Sequence, residues 1–381
     1  MAIALTLWLD FFNFVAAGAG RVLFTLFALH IGASASEVGL LGGLLFVFPL
    51  LLSWPVGAMA DRLGARGLLA FASVSGAVSL LLPYFFHTLT VLYVAAALNG
   101  LAQAFFHVTL QNNIGSLSKP EQRARNFTNF SLIGALTNFV GPLIAGFSID
   151  HWGHAVACLI AASFSVTALV LVLVWGGIFP PGKPAAAHAA APQGVLLDRG
   201  VWHMLILSAL IQLGYDLFQF YVPVYGHSIG LSASAIGAVL GAVAVAAIIV
   251  RLYLPRMIKR VPGETLLGWV FWSGVAGFAM VPFAGSALTL GAISFIFGLG
   301  MGIGIPLTVI LMYASSPEGR SAQTLGLRLT GNNFVRVAGP VVFGAVGTAL
   351  GLSAVFWIVA AIMAAGGVMS RMPPAKKPPE G

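Results

Sequence analysis

Gly57-Ala58-Met59-Ala60-Asp61-Arg62-Leu63-Gly64-Ala65-Arg66 is a charged connector between two apolar runs, 37–60 and 67–86. Its glycines allow a helix end to approach a neighbour closely. Its acid, at a helix boundary, can hold a facing helix N-terminus or a nearby arginine. The connector therefore reads as a joint between two membrane helices, with Arg62 and Arg66 marking one face of the bilayer.

Outward from this joint, the chain is a succession of apolar runs of about 20 residues, the length that spans a bilayer as a helix. The expected spans are 4–30, 37–60, 67–86, 90–115, 124–148, 154–177, 201–226, 234–254, 264–284, 287–313, 322–348 and 352–370. Continuous runs of this length do not fit the alternating pattern of a β-barrel. The first run lacks a basic leader and a small-residue cleavage site, so it is expected to be a retained span.

Every lysine and arginine that falls between spans falls in alternate connections. One set carries Arg62, Arg66, Lys119, Arg123, Arg125, Lys183, Arg199, Arg256, Lys259, Arg260, Arg320, Arg371, Lys376 and Lys377; the connections around Ser34, His87, His151, His227, Ser286 and Gly351 carry none. The positive-inside bias then puts both termini and the central connection in the cytoplasm, with the chain in an inner or plasma membrane.

Of the 381 residues, 59% are hydrophobic and only 7% charged, against the quarter or so of a soluble domain. The net charge of +8 is accounted for by span ends, so nucleic acid is not an expected partner. A single cysteine, Cys158, excludes a disulfide framework. No P-loop is present, and no cofactor or metal is expected: Asp150, His151 and His154 read as solvated loop residues.

The halves repeat. Gly32, Ser34, Ser36 and Gly39 return as Gly230, Ser232, Ser234 and Gly237 at an offset of 198, and Gly141-Pro142 and Gly146 return as Gly339-Pro340 and Gly344 at the same offset. The domains are expected at 1–179 and 201–370, with a cytoplasmic linker at 180–200 and a tail at 371–381.

The connector resembles the signature of the major facilitator superfamily, G-x-x-x-D-R-x-G-x-R/K, in its place between helices 2 and 3, with Ala65 where a base is preferred. The resemblance implies an all-α membrane protein of twelve transmembrane helices in two pseudo-symmetric six-helix bundles. It gives Asp61 the role of a latch between halves, with Gly57, Arg62, Gly64 and Arg66 in support. The second copy, Lys259-Arg260-Val261-Pro262, lacks the acid. In helix 5, Gly134, Gly141, Pro142 and Gly146 resemble the antiporter motif of drug-exporting branches, with Ala145 in place of its penultimate glycine. These residues are the expected conformational gate.

Ionisable groups within spans are costly and usually face a cavity or a partner. Helix 4 places Asn99, Gln103, His107 and Gln111 on one face; helix 1, Asp10, Asn13 and Arg21; helix 7, Gln212, Asp216 and Gln219, with Tyr215 adjacent; helix 11, Thr324, Arg328, Asn332 and Arg336. Helices 1, 4, 7 and 10 line the cavity in the superfamily. Arg21, Asn99, Gln103, His107, Gln111, Gln212, Tyr215, Gln219, Asn332 and Arg336 are the expected substrate-binding residues, and Asp216, His107 and Asp10 the expected proton-coupling groups. Arg328 and Arg251, near span ends, are expected to snorkel or anchor.

The expected function is proton-coupled export of a small organic compound by a monomeric transporter. The alternative is a proton-linked symporter importing an organic anion such as a monocarboxylate. A non-transporting receptor is a remoter reading, and an intramembrane enzyme would need a nucleophile–base pair or metal set that is not visible.

Overall fold

A computed structural model describes residues 1–181, 199–315 and 321–371, apart from the side chains at 53, 54, 57, 58, 61, 62, 120, 123, 124, 199, 314, 315 and 321–323. Most of the expected linker and nearly all of the tail lie outside the described residues.

The described chain is helical almost throughout, because apolar backbone in lipid must satisfy its own hydrogen bonds. Eleven helices are long and apolar enough to cross a membrane. One of them, Pro120–Trp175, has 56 residues, about twice the span of a bilayer, and breaks at Gly153 (φ 78°, ψ 170°). Counting the break gives twelve crossings: α1 (Ala2–His30), α2 (Ala35–Leu63), α3 (Ala65–Phe85), α4 (Leu89–Leu117), α5 (120–152), α6 (154–175), α7 (Arg199–Ser228), α8 (Ala233–Arg260), α9 (Gly263–Met280), α10 (Ala287–Ser315), α11 (Ser321–Leu350) and α12 (Leu352–Met369). The continuous count is eleven rather than twelve because the α5–α6 corner needs only one residue to turn.

That corner shows the repeat in the backbone. Gly153 and Gly351, 198 positions apart, both take positive φ (78° and 87°), a conformation that a side chain would strain. Ser34 caps α2 in a capping box with Glu37, and Ser232 caps α8 at the same offset.

Helices α1–α6 pack into one bundle and α7–α12 into the other, and the main contacts between them are α2 with α11 and α5 with α8. Small residues let these pairs approach. A Cβ at Gly39 would meet the Pro340 carbonyl and the Gly344 Cα; one at Gly237 would come within 2.5 Å of the Pro142 carbonyl, and one at Gly146 would strike that of Ala233. Gly141 packs instead on Gly18 of α1, within its own bundle, and Gly134 has no heavy atom within 4 Å of where a Cβ would stand.

Two arginines differ from expectation. Arg328 does not snorkel: it is 4% exposed, and its guanidinium donates to Thr308 Oγ1 at 3.0 Å. Arg251 donates through Nε to the Gly302 carbonyl at 2.7 Å. Pro306, four residues on, has no N–H for that carbonyl, so the arginine supplies the missing donor. Both serve α10 rather than the membrane surface.

Candidate functional site

Positions 208, 212 and 216 share one face of α7, as 328, 332 and 336 share one face of α11. Where these helices pack, the two faces form a polar ladder. Ser208 donates to Asn332 Oδ1 at 3.2 Å, and Asn332 donates to Gln212 Oε1 at 3.5 Å. Gln212 donates to Asp216 Oδ2 at 2.6 Å, and Arg336 Nε donates to the same oxygen at 2.9 Å. A carboxylate this deep needs such donors, because an isolated charge in a low-dielectric interior costs several kcal/mol. The ladder orients both members of the ion pair. Asp216 is 5% exposed, whereas the Arg336 side chain is 30% exposed and open to a ligand.

Phe46 of α2 faces this pair from the other bundle. The Arg336 guanidinium carbon lies 4.6 Å from its ring centroid, and that of Arg21 on α1 lies 5.6 Å away. Each contact contributes about 0.5–2 kcal/mol. Arg21 is also within electrostatic reach of Asp216, Arg336 and Tyr215. Two cations, one carboxylate and an aromatic face thus converge between the bundles, giving the site a net positive balance.

The α4 stripe divides. His107 and Gln111 are exposed, their side chains 2.9 Å apart, with the His107 ring against Phe14 (5.7 Å) and within electrostatic reach of Arg336. They open onto the space between bundles. Gln103 is half-buried on the same face. Asn99 turns the other way, donating to Ser79 Oγ at 3.4 Å inside its own bundle. On α7, half-buried Tyr215 accepts from buried Gln219 at 3.3 Å. Asp10 is not part of this convergence: it is 1% exposed, deeper in the first bundle.

Of the expected gate, the Gly57, Asp61 and Arg62 side-chain positions lie outside the described residues. Gly64 has φ 76° at the α2–α3 joint. Arg66 donates to the Leu173 carbonyl of α6 at 3.0 Å.

A different contact joins the bundles at the end opposite the termini. Asp150, read from sequence as a solvated loop acid, instead accepts from the backbone N–H groups of Ala233 (3.0 Å) and Ser234 (2.8 Å), at the N-terminus of α8. Its counterpart at offset 198 is Thr348, whose Oγ1 accepts from the Ser36 N–H at 2.9 Å, at the N-terminus of α2. One repeat carries a charged cap and the other a neutral one. The signal was present in the repeat, which pairs Asp150 with Thr348 and Ser36 with Ser234. Phe46 had no such signal, being one phenylalanine among 28.

The family model described as Major Facilitator Superfamily matches residues 6–293. The quinolone resistance protein NorA of Staphylococcus aureus (strain MSSA476) is 23% identical over 322 residues, covering 83% of this chain and 82% of its own. The multidrug resistance protein MdtG of Klebsiella pneumoniae (strain 342) is 23% identical over 333 residues, covering 85% and 80%. Among solved structures, the nucleoside transporter NupG superposes with a TM-score of 0.80 at 15% identity, covering 97% of this chain and 99% of its own. A POT family transporter in complex with 5-aminolevulinic acid gives 0.79 at 13% identity, covering 96% and 94%. The last two are likenesses of fold.

Proposed function

The chain belongs to the major facilitator superfamily and is a membrane transporter rather than an enzyme, and from that premise we propose that it exports a small organic compound in exchange for protons. The observation that carries this reading is the Asp216–Arg336 pair, held by Gln212 in the space between the bundles. Ionised Asp216 accepts from a donor on the substrate while Arg336 holds its anionic or carbonyl-bearing group; protonating Asp216 removes that acceptor and releases the substrate, and substrate binding in turn expels the proton. Substrate and proton then compete for one site, which is the requirement for exchange. The relatives NorA and MdtG are named as resistance proteins, which supports the outward direction.

The site offers Arg21 and Arg336 for charge, Phe46 and Tyr215 for a flat apolar body, and His107, Gln111, Gln103 and Asn332 for polar edges. An amphipathic aromatic acid suits that set. The chain acts as a monomer, with residues 1–179 and 201–370 as rocking bodies, 180–200 as linker and 371–381 as tail. Both termini are cytoplasmic in this reading, so the Asp150 and Thr348 caps close the external end, and the Asp61 joint closes the cytoplasmic end in the alternate state.

The test is transport in proteoliposomes of purified protein with norfloxacin as probe. An imposed pH gradient drives accumulation in the wild type and not in Asp216→Asn. Full gradient-driven accumulation by Asp216→Asn would overturn the exchange scheme.

A second reading, proton-linked import of an organic anion such as a monocarboxylate, draws on the positive balance of Arg21 and Arg336 over Asp216. The two readings differ in sign. Adding substrate outside acidifies the lumen under cotransport and alkalinises it under exchange.

A further inference from the structure

Asp10 lies inside the first bundle, 1% exposed, and neither carboxyl oxygen has a hydrogen-bond partner. Three other groups nearby share this condition: the amide nitrogens of Asn13 on α1 and Asn113 on α4, and the hydroxyl of Thr109 on α4, on residues at most 5% exposed. Unpartnered buried polar atoms are rare in folded proteins, and a native cluster of them asks for an explanation.

The register of the two helices puts them at one depth. A Cβ at Gly20 would lie 3.1 Å from the Asn99 amide, and the Phe14 ring lies 5.7 Å from His107, so α1 and α4 run antiparallel. Continuing that pairing brings Asp10 level with the turn from Thr109 to Asn113. Asp10 lies one turn from Phe14 on the same face, so it faces α4.

The elements packed around α1 carry His107 on α4, His203, Asp216 and His227 on α7, Glu37 at the far end of α2, Arg66 on α3, and Glu121, Arg125, Asp150 and His151 on α5, with His154 on α6. Arg21 is on α1 itself. None of these hydrogen-bonds to either Asp10 oxygen. An ionised carboxylate without counter-charge or donor is the costliest group a protein interior can hold, and a neutral acid costs far less.

We propose that Asp10, with Asn13, Thr109 and Asn113, forms a second proton-holding site inside the first bundle, separate from the Asp216–Arg336 pair. In this closed arrangement Asp10 carries its proton. When water reaches the α1–α4 contact, the carboxyl O–H bond breaks, the electron pair stays on the oxygen, and the proton passes to water. The amide and hydroxyl groups then supply three donors to the carboxylate. Each transport cycle thus moves one proton through Asp10 in addition to the one at Asp216. The coupling role rests on the exchange proposed above; proton occupancy does not.

Occupancy is read by infrared spectroscopy of the full-length protein in liposomes, titrated from about pH 5 to about pH 10 so that both protonation states of a buried carboxyl group can be read. At pH 7 a neutral-carboxyl C=O stretch is expected in the wild type and in Asp216→Asn, lost in Asp10→Asn, and bleached at the alkaline end. Asp10→Glu should shift the band rather than remove it, which covers a poorly folding Asp10→Asn. Identical pH 7 bands in wild type and both Asp10 variants would overturn the site. Loss of the band on adding sodium chloride at constant pH would assign the cluster to sodium and overturn the proton reading. For coupling, protons moved per norfloxacin are counted in proteoliposomes with an entrapped pH dye. Asp10→Asn is expected to move one fewer than wild type, and an equal count would overturn the coupling role. Wild type that moves no protons, with the pH 7 band intact, would sink the exchange scheme while leaving Asp10 protonated.

Discussion

Asp216 and Arg336 hold each other in a place where neither would be stable alone. Removing the carboxylate leaves a partly exposed arginine against Phe46, so Asp216→Asn should cost about 1–3 kcal/mol, less than a fully buried broken pair because Arg336 still meets water. A thermal-unfolding series on purified protein checks the direction, and an unchanged midpoint would show the pair to be energetically idle. Phe46→Ala removes the shared face of two cations and should weaken norfloxacin binding by about 3–10-fold, as about 1 kcal/mol of lost cation–π contact implies. Phe46→Trp should keep it; equal loss in both variants would point to packing instead. Which polar residues lie within spans was legible in the sequence, because lipid tolerates few of them. Which of them meet was not. Asn99 and Gln103 sit on the same face of one helix, yet Asn99 turns to Ser79 because Gly20 brings α1 against it.

At the scale of the helix, proline and glycine explain most departures from regular packing. Pro306 deprives the Gly302 carbonyl of its donor, and Arg251 reaches across from α8 to replace it. Arg251→Met should therefore cost about 1–3 kcal/mol in an otherwise native chain, and much less on a Pro306→Ala background, where the helix bonds itself. A double-mutant cycle measures that coupling, and additive effects would refute the account. The α2–α11 and α5–α8 pairs pack closely because Gly39, Gly146 and Gly237 leave room for facing carbonyls. At the same end Asp150 caps α8 with a full charge, whereas Thr348 caps α2 without one. Asp150→Ala should loosen that end by about 1–2 kcal/mol and Thr348→Ala by about half of that. Labelling of a cysteine placed at Ala233, 8% exposed in this closed arrangement, in a Cys158→Ser background reads the opening; equal labelling in the two variants would remove the distinction between the caps.

For the whole molecule, the repeat places a matching joint in each half, so the structure is built from two bodies that meet along α2–α11 and α5–α8. Hydrogen bonds between the bundles among the described residues concentrate at the end opposite the termini. Under the proposed orientation this is the external end, and the molecule is closed to the outside. Bulky replacement of Gly146, such as Gly146→Val, should drive the population the other way by clash with the Ala233 carbonyl, abolishing net transport while leaving the bundles folded. Distances between spin labels across the external end should lengthen in that variant. Unchanged distances would mean that this contact does not set the conformational balance.

Number of crossings, helical class, internal duplication and the expected sidedness were all written in the order of residues, because hydrocarbon imposes length and polarity on each span separately and locally. Partnership was not. The ion pair needs α7 and α11 side by side, its aromatic lid comes from α2 in the opposite bundle, and Asp150 reads as loop until the N-terminus of α8 is beneath it. Such contacts join residues up to 312 positions apart, and their free energy exists only once both surfaces have been brought together.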